Sequence, residues 1–419
     1  MAWAEPERLR SSTAAWYAGF RESLGRPLTA YYMLLAASTL LLVIGLIMVT
    51  SASSVYAYRL EGDSYAIVKR QLMWVGIALP VAWGASRMPL RWIRVFSWLA
   101  LLGSMVLLVL VQVPSLGVEV NGNRNWLALG PIRIQPSEVA KLSIVLWAAA
   151  VYSRKERRLD QMQHMLLPVV PVVAVMTGLV LVGRDLGTAM VFFAVLMAVL
   201  WVVGFPWRWF AMAGVGVGAL ALVLAWTSPE RMQRLTNFVD PMKDYHDTGW
   251  QPAHGLYALA TGRWFGQGIG DSTQKWGDLP EAHTDFIFAV LGEELGLVGT
   301  LLVVGLFLVI AFAAVRVAAH TDDPFIRYAS FGIVAWLVGQ MIINVGMVLA
   351  LLPVIGIPLP LVSYGGSALV PSLVALGLLV GFARREPEAA AALAARRPRS
   401  SGVSARTSSA HSSSSQFDS

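Results

Sequence analysis

The stretch Leu279-Pro280-Glu281-Ala282-His283-Thr284-Asp285-Phe286-Ile287-Phe288 leads straight into an apolar run that continues to about Val317. Such a run reads as a membrane-spanning helix, because about 20 apolar residues suffice to cross the hydrocarbon core. Four polar or ionisable side chains, Glu281, His283, Thr284 and Asp285, stand at its mouth. A carboxylate at the edge of a span costs free energy, so by default it marks a candidate functional site. The stretch thus bears on both fold class and chemistry.

The rest of the chain agrees with a membrane setting. Of its 419 residues, 56% are hydrophobic and 14% charged, against roughly 25% charged in an average soluble protein. The mean hydropathy is +0.61. One polytopic bundle fits this length and composition better than several soluble domains. With no cysteine, neither disulfides nor thiolate metal sites contribute. The net charge of +7 comes from basic residues in short loops between apolar runs, a positive-inside pattern and not a nucleic-acid footprint. Residues 1–30 carry Glu5, Glu7, Arg8, Arg10, Arg21, Glu22 and Arg26 without an apolar core. They read as a cytoplasmic N-terminal segment, not a cleaved signal peptide.

The sequence predicts an all-α polytopic integral membrane protein over residues 31–385. Expected spans lie near 31–51, 69–86, 95–114, 137–152, 166–183, 187–204, 208–226, 285–317, 327–352 and 365–383, about ten helices in all. The Arg-rich loops at Arg87–Arg94 and Arg154–Arg158, with Arg208, Arg316, Arg327, Arg384 and Arg385, fall on one side of such a bundle. That places both termini in the cytoplasm. Three outer segments follow. Residues 115–136 hold turn-forming residues around a short interfacial helix. Residues 227–284 form the large extracytoplasmic loop between the seventh and eighth spans. Residues 353–364 hold three prolines, so they form an irregular loop, tolerated at membrane depth only where it lines a cavity or is buried in protein. The Ala/Arg/Ser-rich tail 386–419 reads as disordered, and no internal repeat stands out.

Asp285 is the foremost candidate. It fits either a helix N-cap or first-turn carboxylate or a general base at the interface. Thr284 is equally suited to the cap, which would leave Asp285 free. His283 is a rival base or a hydrogen-bond partner, and at least one of Glu293 and Glu294 reads as a buried anchor. In Gln135-Pro136-Ser137-Glu138-Val139-Ala140-Lys141, Pro136 suits a helix start and Glu138 and Lys141 share a face. They form either a local ion pair or part of a cavity floor. Asp185, after Arg184, is a helix start or a cavity wall facing Lys141. Lys69 and Arg70 lie on the outer side against the positive-inside trend, suited to phosphates or to snorkelling. The run Gly266-Gln267-Gly268-Ile269-Gly270 follows no predicted strand, so it is no dinucleotide fingerprint. It reads as a tight turn aiming Gln267 or Lys275 into the cavity. No His/carboxylate cluster has metal-ligand spacing. No cofactor is expected to be built in, although phosphates of a substrate recruit divalent cations such as Mg²⁺ or Mn²⁺.

On these residues the chain resembles the SEDS family (shape, elongation, division and sporulation), polytopic peptidoglycan glycosyltransferases that polymerise lipid II. The resemblance covers roughly residues 31–385 and rests on four ordered motifs. Asn125-Trp126-Leu127 runs through Gln135 to Lys141, and Asp185-Leu186-Gly187-Thr188 follows. The third joins Leu279–Phe288 to Gly292-Glu293-Glu294-Leu295-Gly296. The fourth is Leu352-Pro353-Val354-Ile355-Gly356-Ile357-Pro358-Leu359-Pro360 with Ser363-Tyr364-Gly365-Gly366-Ser367. The Pro-Glu-Ala-His form of the third motif and the Ser367 ending resemble the division branch, FtsW, more than the elongation branch, RodA.

The resemblance implies that Asp285 matches the family's essential aspartate, and that Glu138, Lys141, Asp185 and Arg70 fall at positions used in its polar cavity. It also implies a class B penicillin-binding protein as transpeptidase partner, other division proteins as further partners, and a septal location in the cytoplasmic membrane. Joining sugars through a β-1,4 bond from an α-linked pyrophosphate inverts the anomeric carbon, which needs a base on the incoming hydroxyl opposite the leaving group. Pyrophosphate leaves without a second carboxylic acid, so one aspartate and cations near the phosphates form a sufficient kit. Two other classes compete. A lipid II flippase needs a polar route through the whole bilayer, whereas these charges gather towards the outer end. A non-catalytic division scaffold leaves Asp285 without a task.

Overall fold

Helix α4 (Pro136–Lys155) lies at the centre of the molecule, with every side chain from Leu142 to Tyr152 buried. A helix that is apolar on all sides must be surrounded by others, and here the charged residues are confined to its ends and to the Glu138–Lys141 pair. The computed structural model describes residues 26–226 apart from 121 and 131, together with Met242 and 249–395. The expected N-terminal segment and most of 227–248 therefore lie outside the described residues.

Before α4 come α1 (Thr29–Glu61), α2 (Ala66–Arg87) and α3 (Leu90–Val111). After it come α5 (Met162–Leu166), α6 (Val169–Val182), α7 (Leu186–Val202), α8 (Trp207–Trp226) and α9 (Trp250–Gly262). The chain ends in α10 (Ile287–Ala319), α11 (Pro324–Val348), α12 (Gly366–Ala383) and α13 (Pro387–Ala395). Six helical stretches are long and apolar enough to cross a membrane: α1, α3, α5–α6 together, α10, α11 and α12. The 17-residue α7 is apolar but shorter. Helix α1 has 33 residues, or about 50 Å at 1.5 Å per residue. It is therefore longer than the hydrocarbon layer requires and delivers Ser51 to Lys275 and Tyr56 to His283, in the loops near Asp285. It stops at Gly62, whose φ of 71° and N–H bond to the Tyr58 carbonyl (2.9 Å) form a glycine C-cap.

Helices α2 and α12 run side by side in the same direction. A Cβ on Gly366 would lie 2.2 Å from the Trp74 ring, one on Gly377 2.3 Å from the Ala82 carbonyl oxygen, and one on Gly381 2.4 Å from that of Ser86. Only glycine permits that approach. At the far end of the bundle from Asp285, Arg94 pairs with Asp323 at 2.6 Å and Arg327 with Glu156 at 3.2 Å.

Several expectations need correction. Residues 115–136 hold no interfacial helix. They form an antiparallel sheet in the order β1 (Gly117–Val120), β2 (Asn123–Leu129), β3 (Ile132–Ile134). The fold is therefore not purely α-helical. The reason is visible in the strands, where Val118, Val120, Trp126, Ile132 and Ile134 bring β-branched and aromatic character around the turn residues Gly122 and Gly130. The segment 227–284 is not simply an outer loop, because α9 packs on α10 and α11 and buries Pro252, Ala253, His254, Gly255 and Ala258. Nor is α10 one regular helix: it breaks at Gly296, with φ 67° and ψ −164°. Disorder does not begin at 386, since α13 continues to Ala395 on a proline start and alanine-rich helix formers. Residues 396–419 lie outside the described residues.

Candidate active site

The break in α10 and the glycine run before it are one structure. The carbonyls of Glu293 and Glu294 accept from the N–H groups of Gln267 (2.9 Å) and Gly268 (3.1 Å). The N–H groups of Leu297 and Val298 in turn donate to the carbonyls of Arg263 (2.9 Å) and Trp264 (3.1 Å). A Cβ on Gly266 would lie 2.1 Å from the Glu294 carbonyl oxygen, and one on Gly296 2.4 Å from the Gly266 nitrogen. The glycines thus let one backbone dock into another. They do not aim a side chain at a cavity, which corrects the expectation for this turn. Gln267 donates to the Thr261 carbonyl at 2.6 Å. Lys275 is buried, and its Nζ donates to Ser51 Oγ (3.0 Å), Glu294 Oε1 (3.2 Å) and the Gly270 carbonyl. Glu293 accepts from Thr273 N–H (2.9 Å), Thr273 Oγ1 (2.8 Å) and Ser272 Oγ. Both glutamates are anchors.

Asp285 sits just ahead of α10 in a different setting. Neither Thr284 nor Asp285 caps the helix: the residue at its N-terminus is Phe286, with no side-chain cap. Thr284 Oγ1 instead donates to Glu281 Oε2 at 2.5 Å. The backbone around Asp285 is held by the proline-rich loop. Tyr364 N–H donates to the His283 carbonyl (3.0 Å) and Ser363 Oγ to that of Thr284 (2.7 Å). Asn344 Nδ2, from α11, donates to the carbonyls of Asp285 (2.8 Å) and Ile357 (2.7 Å).

That loop is embedded, as its sequence requires. Ile357, Leu359, Leu361 and Val362 are buried. Its freed polar groups are met by Gln340 Nε2 on the Pro358 carbonyl (2.9 Å) and by Ser363 Oγ on the Leu359 N–H (2.8 Å). Gly45 and Gly187 let the flanking helices approach it; their Cβ atoms would fall 2.3 and 2.5 Å from the carbonyl oxygens of Leu361 and Ile355.

Every backbone neighbour of Asp285 is thus fixed while its carboxylate stays uncommitted. Among the described residues it accepts no hydrogen bond. Gly356 presents bare backbone to it, so that an added Cβ would lie 3.3 Å from Oδ2. Burial pushes the Asp285 carboxyl up to about 7, with help from the negative charges of Glu281 and Asp185. A carboxylate with that affinity for protons suits general-base work near neutrality. Burial lowers the His283 imidazole below its usual range. The ring lies 5.0 Å from that of Tyr56 and 5.8 Å from that of Tyr364, so it is packed between aromatics beside Asp285.

Asp185 caps α7, accepting from Thr188 N–H and Oγ1 at 2.9 Å each, and also from Asn125 Nδ2 at 3.0 Å. Its field reaches Asp285. Lys141 does not face it: Lys141 Nζ donates to Glu138 Oε1 (2.7 Å) and to Gln340 Oε1 (3.1 Å), with all three side chains buried. Arg70 makes a two-pronged pair with Glu61, at 2.7 and 3.0 Å, in an exposed position. The structure therefore gathers Asp285, His283 and Asp185, holds Glu138 and Lys141 as an inner pair, and gives Lys275 to the anchor. The sequence reading passed over Asn344 and Gln340, although polar amides inside an otherwise apolar span signal a partner at membrane depth. Among the described residues no group of three or more His, Asp or Glu is placed to hold a metal ion.

A helical membrane protein that clamps the backbone around an uncommitted carboxylate against an embedded proline-rich loop is the class these features define. The chain belongs to the FtsW/RodA/SpoVE family, whose model, described as cell cycle protein, matches residues 31–388. It is 38% identical over 390 residues to a Mycobacterium tuberculosis protein described as a probable peptidoglycan glycosyltransferase FtsW, covering 93% of this chain and 73% of the relative. A Nitrosococcus halophilus protein of the same description is 40% identical over 351 residues, covering 83% and 90%. Among solved structures, a chain of a peptidoglycan synthase complex that coordinates polymerization and crosslinking superposes with a TM-score of 0.69. The two are 28% identical, and the match covers 85% of this chain and 98% of that one. The rod shape determining protein RodA of Thermus thermophilus gives 0.61, with 28% identity and coverage of 84% and 96%.

Proposed function

We propose that this chain is a peptidoglycan glycosyltransferase of the division type, polymerising lipid II into β-1,4 glycan at the outer face of the cytoplasmic membrane. The observation that carries the mechanism is the Asp285 carboxylate, raised to about 7 and free of hydrogen bonds among the described residues. An acceptor hydroxyl placed against Asp285 gives up its proton to the carboxylate as its oxygen bonds to the anomeric carbon of the donor. The bond from that carbon to the pyrophosphate oxygen breaks on the opposite face, and its electron pair leaves with undecaprenyl pyrophosphate. The configuration inverts, and Asp285 ends protonated, to be reset by water. Gly356 leaves room for the acceptor, and Asn344, Ser363 and Tyr364 hold the aspartate backbone so that little reorganisation accompanies transfer. Arg70, whose exposed pair with Glu61 opens readily, is the cation assigned to the pyrophosphate. Any Mg²⁺ or Mn²⁺ ion enters with that group as part of the substrate. Polymerisation of purified lipid II by the purified protein, with and without Asp285→Asn, tests this. Transbilayer movement of lipid II without polymer would favour the flippase, and neither activity the scaffold.

The reading extends to topology and partners. Ten spans, formed by α1 to α4, α5–α6, α7, α8 and α10 to α12, leave both termini in the cytoplasm and Asp285 outside. Impermeant thiol reagents should label Asp278→Cys and not Arg91→Cys in intact cells; the reverse overturns it. A single-span class B penicillin-binding protein is the proposed crosslinking partner at the septum. Support comes from the similarity to a chain of a synthase complex. Co-purification and stimulated polymerisation are the expected outcomes.

A further inference from the structure

At the end of the bundle opposite Asp285, a groove of about 360 Å³ opens between α1, α2 and α12. Its wall is apolar over Leu42, Leu79, Leu373 and Leu376, and its mouth carries two cations, Arg87 and Arg384. No acidic side chain lines it. Among the described residues neither guanidinium has a carboxylate partner; Arg87 lies over the Trp83 ring at 4.6 Å. At the same end Arg94 is neutralised by Asp323 and Arg327 by Glu156, so carboxylates lie within reach of some arginines here but not of this pair. The close contacts of Gly377 on Ala82 and Gly381 on Ser86 bring α2 and α12 together as the groove's floor. A long apolar trough ending in two unpaired guanidiniums matches one kind of ligand, an acyl chain with an anionic phosphate at its head.

We propose that this groove is a binding site for an anionic phospholipid of the cytoplasmic leaflet, its phosphate between Arg87 and Arg384 and one acyl chain along α1. Its depth suits this leaflet in the orientation proposed above, because Arg87 and Arg384 close the helices at the Arg-rich end. The volume falls in the range of small-molecule sites, roughly 300–1,000 Å³. Guanidinium forks recognise phosphate through paired hydrogen bonds. The site is remote from Asp285, so it stands whether or not the glycosyltransferase reading does.

The test uses the full-length protein in phosphatidylcholine nanodiscs carrying a trace of phosphatidylglycerol with a photoreactive acyl chain. Crosslinks should map to peptides spanning 31–42, 79–87 and 373–384. Unlabelled phosphatidylglycerol should compete at least tenfold better than phosphatidylcholine. Arg87→Gln with Arg384→Gln should lower labelling roughly 10- to 30-fold, the worth of two cations near an anionic headgroup. The Lys pair should restore most of it. Equal competition by the two lipids, crosslinks confined to other helices, or labelling indifferent to the Gln pair would each overturn the proposal. The competition arm uses the unsubstituted protein and decides the matter even if a variant fails to fold.

Discussion

Asp285 and Glu293 stand about two helical turns apart at the entrance of α10 and have opposite surroundings. Glu293 is fully buried and accepts from Ser272, Thr273 and Gln274. Asp285 is partly open and its carboxylate accepts from no described residue, although its own carbonyl and those of its two predecessors are all bonded. A carboxylate with its hydrogen bonds filled is held immobile, and serves as an anchor. One that is desolvated, flanked by other negative charges and left unfilled gains proton affinity. The two settings separate a structural acid from one suited to the reaction proposed above, without reference to position in sequence.

The largest effect should come from the open carboxylate. Asp285→Asn keeps size and shape but removes the basic lone pair, so turnover should fall by about 10²–10⁴-fold. The melting temperature in detergent should hold or rise, because a desolvated acid is removed. Near-normal polymerisation by the folded variant would sink the mechanism and leave His283 as the next base to test. The anchors should behave in the reverse way. Glu294→Ala strands Lys275 as a buried, unpaired cation, a class of change that costs about 3–5 kcal/mol. The loss should appear as a lower melting temperature, with residual activity tracking the folded fraction. If Glu294→Ala melts normally yet loses turnover, the division between anchor and reactive acid fails.

A smaller effect is expected at the join between the two regions. At Gly296→Ala the backbone must hold φ near 67° with a side chain, and the new Cβ would meet the Phe265 and Gly266 nitrogens at 2.6 and 2.4 Å. The strain should cost about 1–3 kcal/mol. Amide exchange should rise at Gln267, Gly268, Leu297 and Val298, whose N–H groups bridge the break. Unchanged exchange at these four would show that the docking of the glycine run does not depend on the bend.

The apolar runs and the acidic entrance at Asp285 were legible in the sequence because span length and intramembrane polarity are local properties. The fate of each charged side chain was not. Lys275 looks free to face a cavity until Ser51, 224 residues away, is brought beside it. Asp185 and Lys141 look like natural partners, but a cap on α7 and an ion pair within α4 satisfy them separately. The glycine run suggests a turn that points a side chain, whereas its docking depends on Gly296, a contact that lies 30 residues from Gly266. Strand pairing in 117–134 likewise follows from register between segments, which periodicity over so few residues does not reveal. Where a polar group's partner is local, the sequence suffices; where the partner comes from another helix, only the fold supplies it.

The last comparison, in which no single condition abolishes function or folding, separates the settings by pH. As the base proposed above, Asp285 would act only when deprotonated, so polymerisation should rise with pH to a plateau above about 7, the value to which burial, Glu281 and Asp185 bring it. About one unit below that value it should have dropped roughly tenfold. Stability should move the other way. Between the ordinary aspartate range, near 3.8, and about 7, the folded protein binds more protons than the unfolded chain, so stability falls as pH rises through that window and levels off above it. His283, lowered by burial, contributes with the opposite sign: its folded form binds fewer protons, so its share of stability grows as pH rises towards the ordinary histidine range. The difference between the unsubstituted protein and Asp285→Asn isolates the aspartate, because the histidine contribution cancels. Melting temperatures from pH 4.5 to 8 should show the Asn variant gaining on the parent as pH rises to about 7, while the parent's polymerisation climbs over the upper part of the same interval. A parent whose activity is flat across that interval would place the proton acceptor elsewhere, even if Asp285→Asn were inactive.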